Sequence, residues 1–136
     1  MAMRADQLPP ILIGVAVAAA IGLGLMVTGG PGTGRMEKRN ARRLADLAAL
    51  GDYVICLADA ADHRLPEALT RSDACRQDTP FEDPFTGAPY RYERASDTSF
   101  RLCAGFERPA LIPDAQMNEG RFERPSGCLI YRYPRP

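Results

Sequence analysis

The 136-residue chain has no tryptophan, one histidine and one lysine, and no charge of either sign in excess: 17 basic residues balance 17 acidic ones. The balance argues against a dedicated nucleic-acid binder, whose basic excess is its electrostatic footprint. A single histidine leaves little room for imidazole chemistry. There is no Gly-x-Ser-x-Gly element to supply an activated serine, and Asp62 beside His63 reads as a surface pair. Glu82 and Asp83 read as a solvated turn. No Cys-x-x-Cys occurs among the four cysteines, so thiol redox catalysis is not expected. Their spacing fits no standard zinc site, so no metal or cofactor is expected, and no enzyme activity.

Charge is also missing from one stretch, Gln7 to Gly34. Arg4 and Asp6 are the only charged residues before Arg35. Within the stretch, Ile11 to Thr28 is apolar, and helix over that length spans about 27 Å, close to a hydrocarbon core. Pro9 and Pro10 suit a first helical turn. We read residues 1–10 as a tail, 11–28 as a transmembrane helix, 29–35 as a Gly-rich linker and 36–134 as one small domain. A cleaved signal peptide fits less well, since no small-x-small cleavage site follows the apolar run. Gly29 and Gly34 have phosphate-loop spacing, but Arg35 and Met36 stand where Lys and Ser/Thr are needed, so no nucleotide is expected. Gly14, Ala18 and Gly22 lie four apart, a small-residue face that suits close helix packing in lipid, although an Ala-rich segment produces it easily by chance.

Two rules disagree about topology. Arg35, Lys38, Arg39, Arg42 and Arg43 follow the apolar run and would hold the domain in the cytoplasm; there they could meet anionic headgroups. An even number of cysteines in so small a domain points to an oxidising compartment. We expect the latter, a periplasmic domain on a bacterial inner membrane.

Residues 36–60 read as an amphipathic helix. Leu44, Leu47, Ala48, Val54, Ile55 and Ala58 form its stripe, widened by Leu50 and Leu57, while Arg42, Arg43, Asp46, Asp52 and Asp59 form its polar face. Residues 72–89 read as a loop. The period then becomes two. Tyr90 and Tyr92 share a face, as do Phe100, Leu102, Ala104 and Phe106, around a polar turn at 94–99; this is a hairpin. Gly120 to Glu123 and Cys128 to Tyr133 complete a small antiparallel sheet, and the fold class is α+β.

Strand phase places Cys103 and Cys128 on the outer face of that sheet, where a cross-strand disulfide fits, leaving Cys56 to pair with Cys75. Four cysteines permit three pairings, and four buried thiols are the alternative. Asp83, Pro84, Gly87, Pro89, Tyr90 and Tyr92 read as a structural turn: Asp83 and Thr86 bond locally, Pro84 fixes φ, Gly87 takes positive φ, and the tyrosines cover the core. Phe106, Leu111, Ile112, Met117 and Phe122 are more apolar residues than a plain 105–127 loop needs, and exposed together they would form a partner patch.

The order of elements resembles the type IV pilin-like fold. DPFTGAPYRYE, Asp83 to Glu93, is similar to the stretch that opens the sheet of type II secretion pseudopilins. The same motif with Leu102 to Phe106 (LCAGF) and with Gly127 and Cys128 is similar to small uncharacterised bacterial single-pass membrane proteins. The resemblance covers about residues 36–133. It implies a non-enzymatic structural or accessory subunit that works with other membrane proteins of a larger envelope complex; alternatives are a tethered binding module and a pseudopilin-like component. The prepilin-peptidase site, with its Gly and early Glu, has no counterpart before the apolar run, and Asp114 and Glu119 lack the acidic cluster of the pseudopilin calcium loop. Neither processing nor calcium is carried over.

Overall fold

A computed structural model describes residues 8–113 and 121–134. The chain divides into two compact units, Met1–Met36 and Glu37–Pro136.

In the first unit, helix α1 runs Leu8–Val27 (20 residues), about 30 Å of helix. It is long and apolar enough to cross a membrane. Leu12, Ile13, Val15, Ile21 and Leu23 are each more than half exposed, so its apolar surface faces outward all round, as a lipid-facing helix requires. The expected 29–35 linker shrinks to a turn at Thr28 and Gly29. Helix α2 (Gly30–Ala60) begins at once, with positive φ at Gly29 and Gly30 making the break. The reason is that Pro31 suits a first turn and no residue from Gly32 onward forbids helix.

The second unit places the Glu37–Ala60 part of α2 on a four-stranded antiparallel sheet. Its strands are β1 (Arg91–Ser96), β2 (Ser99–Cys103), β3 (Arg121–Glu123) and β4 (Cys128–Arg132), in the order β1-β2-β4-β3. The β1–β2 turn is only Asp97 and Thr98. In register, Tyr92, Leu102, Leu129 and Phe122 form one row of the inner face, and Phe100 pairs with Tyr131 in the next. Leu44, Leu47, Leu50, Val54 and Ala58 of α2 meet these rows in one core with Leu65, Tyr90, Ile112 and Tyr133. Ala48, Ile55 and Leu57 are only half-buried. Tyr53, outside the expected stripe, is fully buried. Its hydroxyl donates to Thr70 O (2.9 Å) and accepts Ser72 N–H (3.0 Å), and its ring meets Phe81 edge-on at 5.4 Å.

Gly51 lies where α2 comes closest to the sheet. A Cβ there would stand 2.9 Å from Tyr131 Cε1 and 3.1 Å from Cζ. Tyr131 is buried and stacked on Phe100 at 5.2 Å, so the ring has little room to yield. Alanine gains up to about 1 kcal/mol of helix propensity, but overpacking costs about 1–3 kcal/mol. Gly51→Ala is therefore expected to lower the stability of the detergent-solubilised chain by about 1–2 kcal/mol in urea unfolding. A gain would mean that the ring moves aside freely.

Candidate functional site

The polar face expected on α2 is only partly a face. Arg43 and Asp46 are buried, because the 83–88 turn and the start of the 104–113 segment close over them. Arg43 Nε donates to Asp83 Oδ2 at 2.6 Å, and Arg43 Nη1 to Glu107 Oε2 at 3.2 Å and to Asn40 Oδ1 at 3.3 Å. Arg39 holds Glu107 through two N–H groups at 2.8 and 2.9 Å. Asn40 bonds the Glu107 backbone both ways, Nδ2 to the carbonyl at 2.6 Å and Oδ1 from the N–H at 3.0 Å. Asp46 accepts from the Tyr90 hydroxyl at 2.7 Å and pairs with Arg42 at 3.0 Å. The basic run read as available to headgroups is thus largely committed within the fold: Arg39, Arg42 and Arg43 hold carboxylates, while Arg35 and Lys38 are exposed.

The turn motif explains how Asp83 gets there. Its backbone accepts from Gly87 N–H and donates to Ala88 O, each at 2.8 Å. Its carboxylate accepts the Phe85 N–H at 2.8 Å, Thr86 Oγ1 accepts the Ala88 N–H at 3.3 Å, and Gly87 has φ 71°, which a side chain would strain. Asp83 is therefore buried and ion-paired, not part of a solvated turn with Glu82. Pro84 and Pro89 lie in the turn and in a bridge to Glu82. Tyr90 N–H donates to Phe81 O at 2.9 Å, and β1 starts one residue later. Tyr92 is half-buried, its hydroxyl donating to Pro66 O at 2.6 Å.

Burial alone would raise the Asp83 carboxyl, but the Phe85 N–H and Arg43 outweigh it and hold it below its ordinary value. Glu107 is also lowered, its desolvation outweighed by Arg39 and Arg43. Burial raises both Tyr90, with Asp46 adding to it, and Tyr92, the latter to about 12. The signs set two limbs. The carboxylates' contribution is complete above their unfolded value near 4 and is lost as pH falls through the lower folded values. The Tyr92 contribution is complete below the unfolded value near 10 and is lost as pH rises through about 12. Thermal unfolding against pH should fall on both limbs, and Asp83→Asn should flatten the acid one. An unchanged acid slope in that variant would remove Asp83 from the account.

Both disulfides are present: Cys56–Cys75 and Cys103–Cys128. Cys103 and Cys128 face each other across β2 and β4, on the outer face, but they are not exposed; each keeps at most 2% of its surface. Arg91 and Glu123 flank them in register, and Glu93, Arg101 and Ile130 form the next row. A short bridge lies below such long side chains. Arg101 pairs with both Glu93 and Glu123.

The expected partner patch is mostly core. Ile112 is buried, and Phe106 and Phe122 are half-buried in an edge-on pair at 5.3 Å, because β3, a strand expected at 120–123, and an unexpected 3-10 turn at Pro109–Leu111 hold this stretch against the core. Leu111 is exposed; Met117 lies outside the described residues. Phe85 is an exposed aromatic that the sequence reading passed over, against Arg43 at 5.5 Å.

His63 finds its partners away from Asp62. Asp62 and His63 follow α2 with φ of 55° and 60°, the left-handed region that costs non-glycine residues about 1–2 kcal/mol each. The Tyr133 hydroxyl donates to Asp59 Oδ1 at 2.6 Å and lies 2.6 Å from His63 Nδ1. With its one proton given to Asp59, that hydroxyl accepts from Nδ1–H, which fixes the tautomer. The Asp59 bond, then burial, pushes the Tyr133 phenol up to about 12. No group of three His, Cys, Asp or Glu among the described residues could hold a metal ion. No protein-family model, curated protein or solved structure matches the chain.

Proposed function

We propose that the chain is a single-pass bacterial inner-membrane protein whose pilin-like domain faces the periplasm and serves as a structural or accessory subunit of a larger envelope complex. It acts through contact with other membrane proteins, not through catalysis. The observation that carries this reading is the pairing, in one chain, of an outward-facing apolar helix, Leu8–Val27, with a domain holding two disulfides. Disulfides persist in oxidising compartments. The five basic residues that follow the apolar run weigh the other way, and the fusions below decide between the two. The DPFTGAPY turn, closing on the helix through Asp83, supports the pilin-like likeness. A tethered binding module is a second reading, favoured by the exposed side chains of Phe85 and Leu111.

Fusions at the carboxy terminus test the orientation. Alkaline phosphatase fused there should be active and green fluorescent protein dark, and the cysteines should resist alkylation in denatured extract until reduced. The opposite pair of reporter results would place the domain in the cytoplasm and end this reading. Residues 1–10 carry no Gly followed by an early Glu, so mass spectra are expected to show no cut just before the apolar run; a cut there would instead favour the pseudopilin-like version.

A further inference from the structure

We propose that Asp59, His63 and Tyr133 form a site for one copper(II) ion at the end of α2. Three atoms converge: Tyr133 Oη lies 2.6 Å from His63 Nδ1 and 2.6 Å from Asp59 Oδ1, and these two are 3.8 Å apart. A triangle of that size has a point about 2 Å from all three corners, the usual metal–ligand length for imidazole nitrogen and carboxylate oxygen. That point lies almost on the line between Nδ1 and Oδ1, so the three ligands form a T, which suits square-planar copper(II) and not tetrahedral zinc(II), and a dication with carboxylate, phenolate and neutral imidazole has no net charge. The side chain of His63 is 80% exposed, which leaves the outer coordination positions open to water.

Asp62 and His63 hold left-handed φ where α2 ends, a conformation common at helix C-termini. Here it brings the imidazole back over Tyr133, whose ring it overlaps at 6.2 Å and 27°. On binding, the Nδ1 proton passes to Nε2 through solvent and the Tyr133 proton is released to solvent. Nδ1, Oη and Oδ1 then each give a lone pair to the ion, and nothing is oxidised or reduced.

The chain has one histidine, which makes the test clean provided that no histidine tag is used. The full-length protein in detergent, dialysed against copper(II), should bind one equivalent with micromolar Kd and develop a visible phenolate-to-copper charge-transfer band. His63→Ala and Asp59→Asn should each weaken binding by at least about tenfold, and Tyr133→Phe should remove the band. Asp59 and His63 have exposed side chains, so these variants keep the fold, which far-ultraviolet circular dichroism checks. No saturable equivalent, unchanged binding in His63→Ala, or a band that never forms or that survives Tyr133→Phe overturns the site.

Discussion

Replacing Arg43 by methionine is expected to cost about 3–5 kcal/mol, a large share of what a small domain has. The side chains of Arg43 and Asp83 are only 3% and 5% exposed, with 2.6 Å between Nε and Oδ2. Methionine fills much of the arginine's volume but leaves Asp83 buried with only the uncharged Phe85 N–H and Thr86 hydroxyl as partners, and removes a donor from Glu107 and Asn40. A buried carboxylate without its partner carries its desolvation penalty uncompensated. Asp83→Asn should cost less, because the amide still accepts the Phe85 N–H. The double variant should cost less than the sum of the two singles, since each loss removes the reason for the other. An exposed pair provides the contrast. Arg94 and Glu67 are also ion-paired, but the side chain of Glu67 is 84% exposed, and Glu67→Gln should move stability by no more than about 1 kcal/mol. Urea unfolding of these four variants in detergent checks the ranking. Equal effects at the two pairs would mean that burial does not govern them.

That ion pair also marks the limit of what the sequence made legible. Periodicity located the elements: the apolar run became α1, the three- and four-residue steps became the stripe of α2, and alternation became β1, β2 and β4. Strand phase put Cys103 opposite Cys128. Each of these is a local pattern, and local patterns report which side of an element is apolar. They do not report what folds over the other side. Arg43 and Asp46 lie one step from the stripe and read as solvated because charge on a helix is usually solvated. Only the return of Asp83 and Tyr90, 40 and 44 residues later, buries them. The same blindness hid the burial of the outer-face cystine at Cys103 and Cys128, and it hid Tyr53, whose hydroxyl needs the chain at Thr70 and Ser72. The Asp59–His63–Tyr133 cluster is similar: the i, i+4 spacing of Asp59 and His63 was visible, but the residue just past β4, 70 positions on, was not. Ile112 shows the opposite case, an apolar residue in a stretch without a clear period that nonetheless joins the core, with Phe106 and Phe122 packed against it.

Losing the Cys103–Cys128 bond should cost more than losing Cys56–Cys75, although chain entropy hardly separates them. The bonds span 25 and 19 residues, and loop closure makes each worth roughly 3 kcal/mol, with a difference of a few tenths. The native surroundings differ more. Cys103 and Cys128 are both almost fully buried, whereas in the other bond Cys75 is buried but Cys56 only half-buried. Alanine at both buried positions removes the constraint and two packed sulfurs, so the Cys103→Ala/Cys128→Ala variant should lose about 3–5 kcal/mol, and Cys56→Ala/Cys75→Ala about 2–3 kcal/mol. Urea unfolding without reductant measures both, and the reverse order would show that packing around the sulfurs is not what distinguishes them. The buried bond also closes the segment that carries Glu107, which Arg39, Asn40 and Arg43 hold against α2. Once that segment is loosened, part of what Arg43 holds in place is already lost. Combining Cys103→Ala/Cys128→Ala with Arg43→Met should therefore fall short of additivity, while combining Cys56→Ala/Cys75→Ala with Arg43→Met should add within about 0.5 kcal/mol.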